Sequence, residues 1–96
     1  MSLHDLLKAK RSDILRIAEK HGAHNVRIFG SVAKGEADEL SDVDFLVEME
    51  QGRSLLDLIG LGDELEDILR CGVDVITDRG VSPYLREQIY AESIKL

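Results

Sequence analysis

The residues best suited to chemistry are acids. Asp42 and Asp44 lie two apart in the run DVDFLVEM, and Asp74 is the second residue of VDVIT. On a strand the side-chain period of two puts Asp42 and Asp44 on one face, where their charges repel unless water or a cation compensates. Hard oxygen ligands of this kind suit Mg²⁺. If VDVIT runs parallel to and beside DVDFLVEM, Asp74 arrives at the same sheet end, and three carboxylates can hold two metal ions for in-line phosphoryl displacement. Upstream, Gly30-Ser31 closes the apolar run NVRIF. A strand ending in Gly-Ser and opening a helical turn offers backbone N–H groups and a hydroxyl to a phosphate, with Gly allowing close approach. Lys34, one turn further on, is a candidate counter-charge.

An Asp-x-Asp alone decides little. Ten Asp in 96 residues produce about one such pair by chance, and a Gly-Ser pair also serves as an ordinary strand-to-helix turn with a Ser cap. The two together, with Asp74, discriminate. The other chemically capable residues lack company: His4, His21 and His24 have no companion ligands, Tyr84 and Tyr90 read as half-buried packing, and Cys71 is the only cysteine. It can form no internal disulfide, which fits a reduced compartment.

The elements that must position these residues can be read from periodicity. Leu3, Leu6, Leu7, Ile14, Ile17 and Ala18 follow helical spacing, with Ser2 and Asp5 as a capping box, a bend near Ser12 and Gly22 as the C-terminal cap. Asn25 to Phe29 reads as a first strand, Ser31 to Lys34 as a short helical turn followed by a polar loop, and Asp42 to Met49 as a second strand. Ser54 with Asp57 boxes the start of a helix whose stripe is Leu55, Leu58, Ile59, Leu65, Ile68 and Leu69. Any apolar excess on that stripe is available to a partner or a second copy. Val73 to Thr77 is a third strand, and Ser82-Pro83 starts a helix carried by Leu85, Ile89 and Ile94 to the end. The helix between strands two and three calls for a right-handed crossover and parallel pairing. The shorter link between strands one and two allows antiparallel pairing. The expected architecture is α/β (α+β), order α-β-(α)-β-α-β-α, with a small mixed sheet flanked by helices and residues 1–96 forming one domain.

Composition sets outer bounds. A 44% hydrophobic fraction supports one compact core, and no apolar run approaches the ~18 residues of a membrane span. Without a signal-like start, the expectation is a cytoplasmic protein with no membrane attachment. The net charge of −7 disfavours general nucleic-acid binding. Its distribution is uneven: residues 1–34 hold seven Lys/Arg against three acids, while residues 36–67 hold twelve acids and only Arg53. An acidic centre beside a basic arm suits a cation-dependent enzyme with an anionic substrate.

The run FGSVAKGEADELSDVDFLVE, with ten residues between Ser31 and Asp42, resembles the signature of the DNA polymerase beta-type nucleotidyltransferase superfamily. Within it, the wording and short length resemble the minimal nucleotidyltransferase (MNT) family over nearly the whole chain. The resemblance implies a nucleotidyltransferase fold and Mg²⁺-dependent transfer of AMP from ATP to a hydroxyl. It assigns nucleotide phosphates to Gly30 and Ser31, and two metal ions and catalysis to Asp42, Asp44 and Asp74. MNT proteins are commonly antitoxins paired with a HEPN-domain toxin, to a tyrosine of which they can transfer AMP, so a HEPN partner and a homo- or hetero-oligomer are implied. Where the family often carries Arg, this chain has Val32 and Lys34, the latter keeping only a point charge. Two alternatives share the fold: a binding module that neutralises its partner by occlusion, and a small-molecule adenylyltransferase, which usually carries a further helical domain.

Overall fold

The computed structural model describes residues 3–35 and 42–96. Ser2, the expected partner of Asp5 in a capping box, and the loop over 36–41 lie outside them. The first helical run is interrupted at Lys10, giving α1 (Leu3–Ala9) and α2 (Arg11–Lys20). Gly22, at φ +78°, follows the C-terminal cap, and its carbonyl accepts from Glu50 N–H at 2.8 Å, tying the end of α2 to the end of the second strand.

Strand β1 (Ala23–Phe29) runs into α3 (Gly30–Ala33), and β2 (Val43–Met49) leads through α4 (Leu55–Leu69) to β3 (Val73–Thr77). A 3₁₀ turn (Asp78–Gly80) and α5 (Pro83–Glu92) precede β4 (Ile94–Lys95). The sheet order is β3-β2-β1-β4. As expected, β1 and β2 are antiparallel, and the crossover through α4 leaves β2 and β3 parallel. A bulge in β1 between His24 and Arg27 contains Asn25 at φ +49°, a left-handed conformation that Asn tolerates.

Alternation divides the sheet into two faces. Val26 and Ile28 of β1 and Val43, Phe45 and Val47 of β2 pack with Leu7, Ile14, Ala18, Leu61, Leu65 and Leu69 from α1, α2 and α4. On the outer surface of this layer, Glu64 of α4 accepts from Lys20 Nζ at 2.7 Å and lies 2.9 Å from His21 Nε2, joining the two long helices. The opposite face carries Asp44, Leu46 and Glu48, and α5 crosses it with Tyr90 and Ser93 reaching Glu48 and Arg27. No helix among the described residues is long and apolar enough to cross a membrane.

Three expectations need correction. The last helix does not continue to the chain end: Ser93 turns extended (φ −82°, ψ 158°), and Ile94 pairs with Ile28. The open edge of β1 offers backbone hydrogen bonds that a further helical turn would forgo, and Leu96 N–H also reaches Val26 O at 3.0 Å. The apolar stripe of α4 is shifted. Leu61 is fully buried, whereas Leu55 and Ile59, both near the start of α4, are exposed. Tyr84 is 93% exposed rather than half-buried, while Tyr90 is half-buried as expected.

Phe45 sits at the centre of the core with no exposed surface. Its truncation in Phe45→Ala is expected to remove about 3–5 kcal/mol of stability. The check is urea unfolding: a lower midpoint at unchanged slope.

Candidate active site

The three acids lie at one end of the sheet. Asp42 immediately precedes β2, Asp44 is its second residue, and Asp74 is the second residue of β3. The parallel ladder pairs Val43 with Val73 and Asp44 with Asp74, so these two carboxyl-bearing positions are direct neighbours on one face. The sequence expectation that parallel pairing would bring Asp74 to the acid pair is met by this register. Burial raises the Asp44 carboxyl above its ordinary range, and the negative charges of Asp74 and then Asp42 push it further the same way. Asp42 and Asp74 are exposed, so the site faces solvent.

Two glycines make room for the acids. Gly30, the first residue of α3, has φ +73°, and a Cβ there would run into the Asp44 carboxylate. Backbone at the end of β1 is thus held against the acid, with Ser31 next in the turn. Gly72 does the same for Asp42: a Cβ at Gly72 would collide with that carboxylate, and its carbonyl accepts from Val43 N–H at 2.9 Å. Lys34 caps α3 through its own N–H to Gly30 O at 3.1 Å. Its side chain is exposed and, among the described residues, forms no ion pair with Asp42, Asp44 or Asp74, so the structure does not bring it onto the acids.

The donor set suits a divalent cation. Among the described residues no three His, Cys, Asp or Glu side chains already converge as a closed metal-holding group. The acids are instead neighbours whose mutual repulsion Asp44 registers. A hard cation relieves that repulsion and is coordinated well by carboxylate oxygens, so Asp42, Asp44 and Asp74 fit Mg²⁺.

Sequence reasoning did not single out Gly72. The one available signal was its position directly before the strand bearing Asp74. Nor did it find the cluster on the acid-bearing face beneath α5. The Arg27 guanidinium lies 5.1 Å from the centre of the Tyr90 ring, and its Nη1 donates to Ser93 Oγ at 3.1 Å. Glu48 accepts from Tyr90 Oη at 3.4 Å and from Asn25 Nδ2. The Arg27 Nε is buried with no hydrogen-bond partner. Burial, followed by the Glu48 charge, raises the Tyr90 phenol above its ordinary value. The charges of Arg27 and Glu48 inside strand runs were the only hints.

A mixed sheet with paired acids at the head of adjacent parallel strands, faced by a Gly-Ser turn, defines an enzyme of the nucleotidyl-transferring class. The chain belongs to the nucleotidyltransferase domain family, whose profile matches residues 11–96, and within it to the minimal nucleotidyltransferases. It is 46% identical to MJ0435 of Methanocaldococcus jannaschii, named as a candidate protein adenylyltransferase, over 84% of this chain and 87% of that protein. It is 32% identical to the protein adenylyltransferase MntA of Thermococcus cleftensis, over 96% of this chain and 90% of that one. A solved structure of a candidate minimal nucleotidyltransferase superposes with a TM-score of 0.91 at 49% identity, covering 100% of this chain and 97% of the other. A toxin-antitoxin structure with AMP-PNP shares the fold at a TM-score of 0.75 and 21% identity, covering 88% and 69% of the two chains.

Proposed function

We propose that residues 1–96 act as one catalytic domain that transfers AMP from ATP to a hydroxyl of another protein, a tyrosine of a HEPN-domain toxin, and so serve as antitoxin. The observation that carries this reading is the registered pair Asp44 and Asp74, with Asp42 beside it, facing Gly30. The names of the relatives, protein adenylyltransferases, and the AMP-PNP bound to a structural neighbour support the same chemistry.

In this mechanism Asp42, Asp44 and Asp74 hold Mg²⁺, which when bound supplies charge neutralisation at the phosphates. The Gly30-Ser31 turn donates N–H and hydroxyl hydrogen bonds to the triphosphate, and Lys34 adds positive charge at its edge. Asp74, exposed on the sheet end, takes the proton of the acceptor hydroxyl. The acceptor oxygen then forms its bond to the α-phosphorus as the α,β-bridging P–O bond breaks, and pyrophosphate departs. The chain's share of catalysis is positioning and electrostatics rather than a covalent step.

Two measurements test the reading. Calorimetry is expected to give saturable ATP binding with Mg²⁺ and a loss of about tenfold or more in affinity when EDTA removes it. Identical binding in both conditions would remove the metal from the site. Co-expression with a HEPN protein encoded beside this chain is expected to yield one complex by size-exclusion chromatography, with labelled AMP appearing on a partner tyrosine. Separate elution with no label transferred would leave the antitoxin reading without support.

A further inference from the structure

The sheet ends on β3, which pairs with β2 on one side and, among the described residues, with no strand on the other. Val43 N–H donates to Gly72 O at 2.9 Å, so in the parallel ladder Gly72, Asp74 and Ile76 turn their main-chain groups toward β2, and Val73, Val75 and Thr77 turn theirs outward. Of these outward groups, Val73 N–H donates to Glu66 Oε1 of α4 at 3.2 Å. Open strand edges are usually blunted by Pro, Lys or a bulge. VDVIT has neither Pro nor Lys and keeps one continuous register with β2. Helix α4 straddles the two strands, with Leu61 and Leu65 in the core beside Phe45 and with Gly62 over Val75. Since Gly62 lies on β3 and Glu66 reaches its outer N–H, helical spacing puts Leu55 and Ile59 on the same open side. They are 70% and 51% exposed.

We propose that β3 pairs antiparallel with β3 of a second copy of this chain, joining two four-stranded sheets edge to edge about a two-fold axis at Val75. The main-chain pattern is complementary to itself. Val75 faces its own counterpart and Val73 faces Thr77, and all three present their N–H and C=O groups outward. With Glu66 still on Val73 N–H, Val75 N–H can donate to the partner's Val75 and Thr77 N–H to the partner's Val73. No like charges meet head on, because Asp74 stands opposite the partner's Ile76. The same axis brings the Thr77 end of one edge to the Val73 end of the other. Arg79, in the turn after Thr77, lines a groove with Leu55 and, among the described residues, forms no ion pair. It arrives beside the partner's Glu66. Within one chain these two charges belong to opposite ends of β3, roughly 13 Å apart along the strand, so the match exists only between copies. Because α4 sits inboard of the edge, the two α4 helices approach to roughly the 8–10 Å at which helices pack, covering Leu55 and Ile59. A second copy is the occupant because edge, apolar stripe and charges all complement themselves under one axis. The pairing does not depend on the function proposed above.

The test is sedimentation velocity of the full chain over a concentration series reaching about 1 mM, with amide hydrogen exchange measured at both ends of the series. A monomer–dimer equilibrium is expected. The Val75 and Thr77 amides should exchange about tenfold or more slowly in the dimer, while those of Asp74 and Ile76, already turned to β2, stay as they are. Val75→Pro removes an outward N–H and no bond to β2, a change that edge strands tolerate, and should weaken the dimer about tenfold or more. Leu55→Glu with Ile59→Glu should do the same from the helix side. Arg79→Glu should also weaken it, and adding Glu66→Arg should recover most of that loss, which only a contact between copies can do. A chain that stays monomeric throughout, a dimer whose Val75 amide exchanges as fast as in the monomer, or a charge swap that recovers nothing would each overturn the pairing. Protection of Val75 only in complex with a different, co-expressed protein would assign the edge to that protein and overturn it as well.

Discussion

Asp44→Asn is expected to lower AMP transfer by about three orders of magnitude or more, and the triple change with Asp42→Asn and Asp74→Asn to be little worse, because groups that act as one unit fail together. Each Asn keeps the shape of the Asp and removes one anionic ligand. Folding should survive. The Asp44 carboxyl is raised by burial and by two neighbouring negative charges. A carboxyl whose folded pKa lies above its unfolded value binds its proton more tightly in the native state. Ionisation therefore takes stability away as pH rises from the unfolded value through the folded one, and the loss is complete above that window. In metal-free protein at pH 7 the Asn variant should thus melt at or above the parent temperature. The readouts are labelled AMP on the co-purified partner and thermal melts in EDTA. Near-parental transfer by Asp42→Asn or Asp44→Asn would sink the mechanism; retained transfer by Asp74→Asn alone would remove only its assignment as third ligand and base.

The second large effect is expected from Gly30→Ala. Its added methyl must displace the Asp44 carboxylate, and it must do so at φ +73°. A left-handed angle for a residue with a Cβ costs about 1–2 kcal/mol, and transfer should fall as far as in Asp44→Asn because the same carboxylate is moved. Gly35→Ala separates the two causes. Gly35 has nearly the same angle, φ +74°, but among the described residues nothing lies within 4 Å of the position its Cβ would take. It should lose comparable stability in denaturant unfolding and keep its transfer. If Gly30→Ala transfers as well as Gly35→Ala does, the close approach of the α3 turn to Asp44 has no catalytic meaning.

The Arg27, Tyr90 and Glu48 cluster shows why part of the acid-bearing face escaped a reading along the chain. Arg27 and Ser93 are separated by 66 residues and Glu48 and Tyr90 by 42. Each looks like an ordinary surface residue until α5 is laid across the sheet. The same holds for Gly72, whose need to be glycine comes from a carboxylate thirty positions earlier in the chain.

What the sequence determined by itself is whatever local chemistry and period encode: the Gly30-Ser31 turn, the same-face spacing of Asp42 and Asp44, the Gly22 cap, and the box in which Asp57 accepts from Ser54 N–H at 2.9 Å. The helix between two short β-branched runs also sufficed to call β2 and β3 parallel, because a crossover of that kind has one favoured hand and direction. Tertiary structure alone decided the rest. Periodicity marks an apolar face but does not say which neighbour covers it, so Leu61 and not Leu55 is buried in α4. Helical spacing at Ile94 yields to the unpaired edge of β1, which makes the last residues a strand. Parallel pairing brought Asp74 to the right sheet end, but its one-to-one register with Asp44 is present only in the assembled ladder, and a slip of one residue would turn that carboxylate to the opposite face.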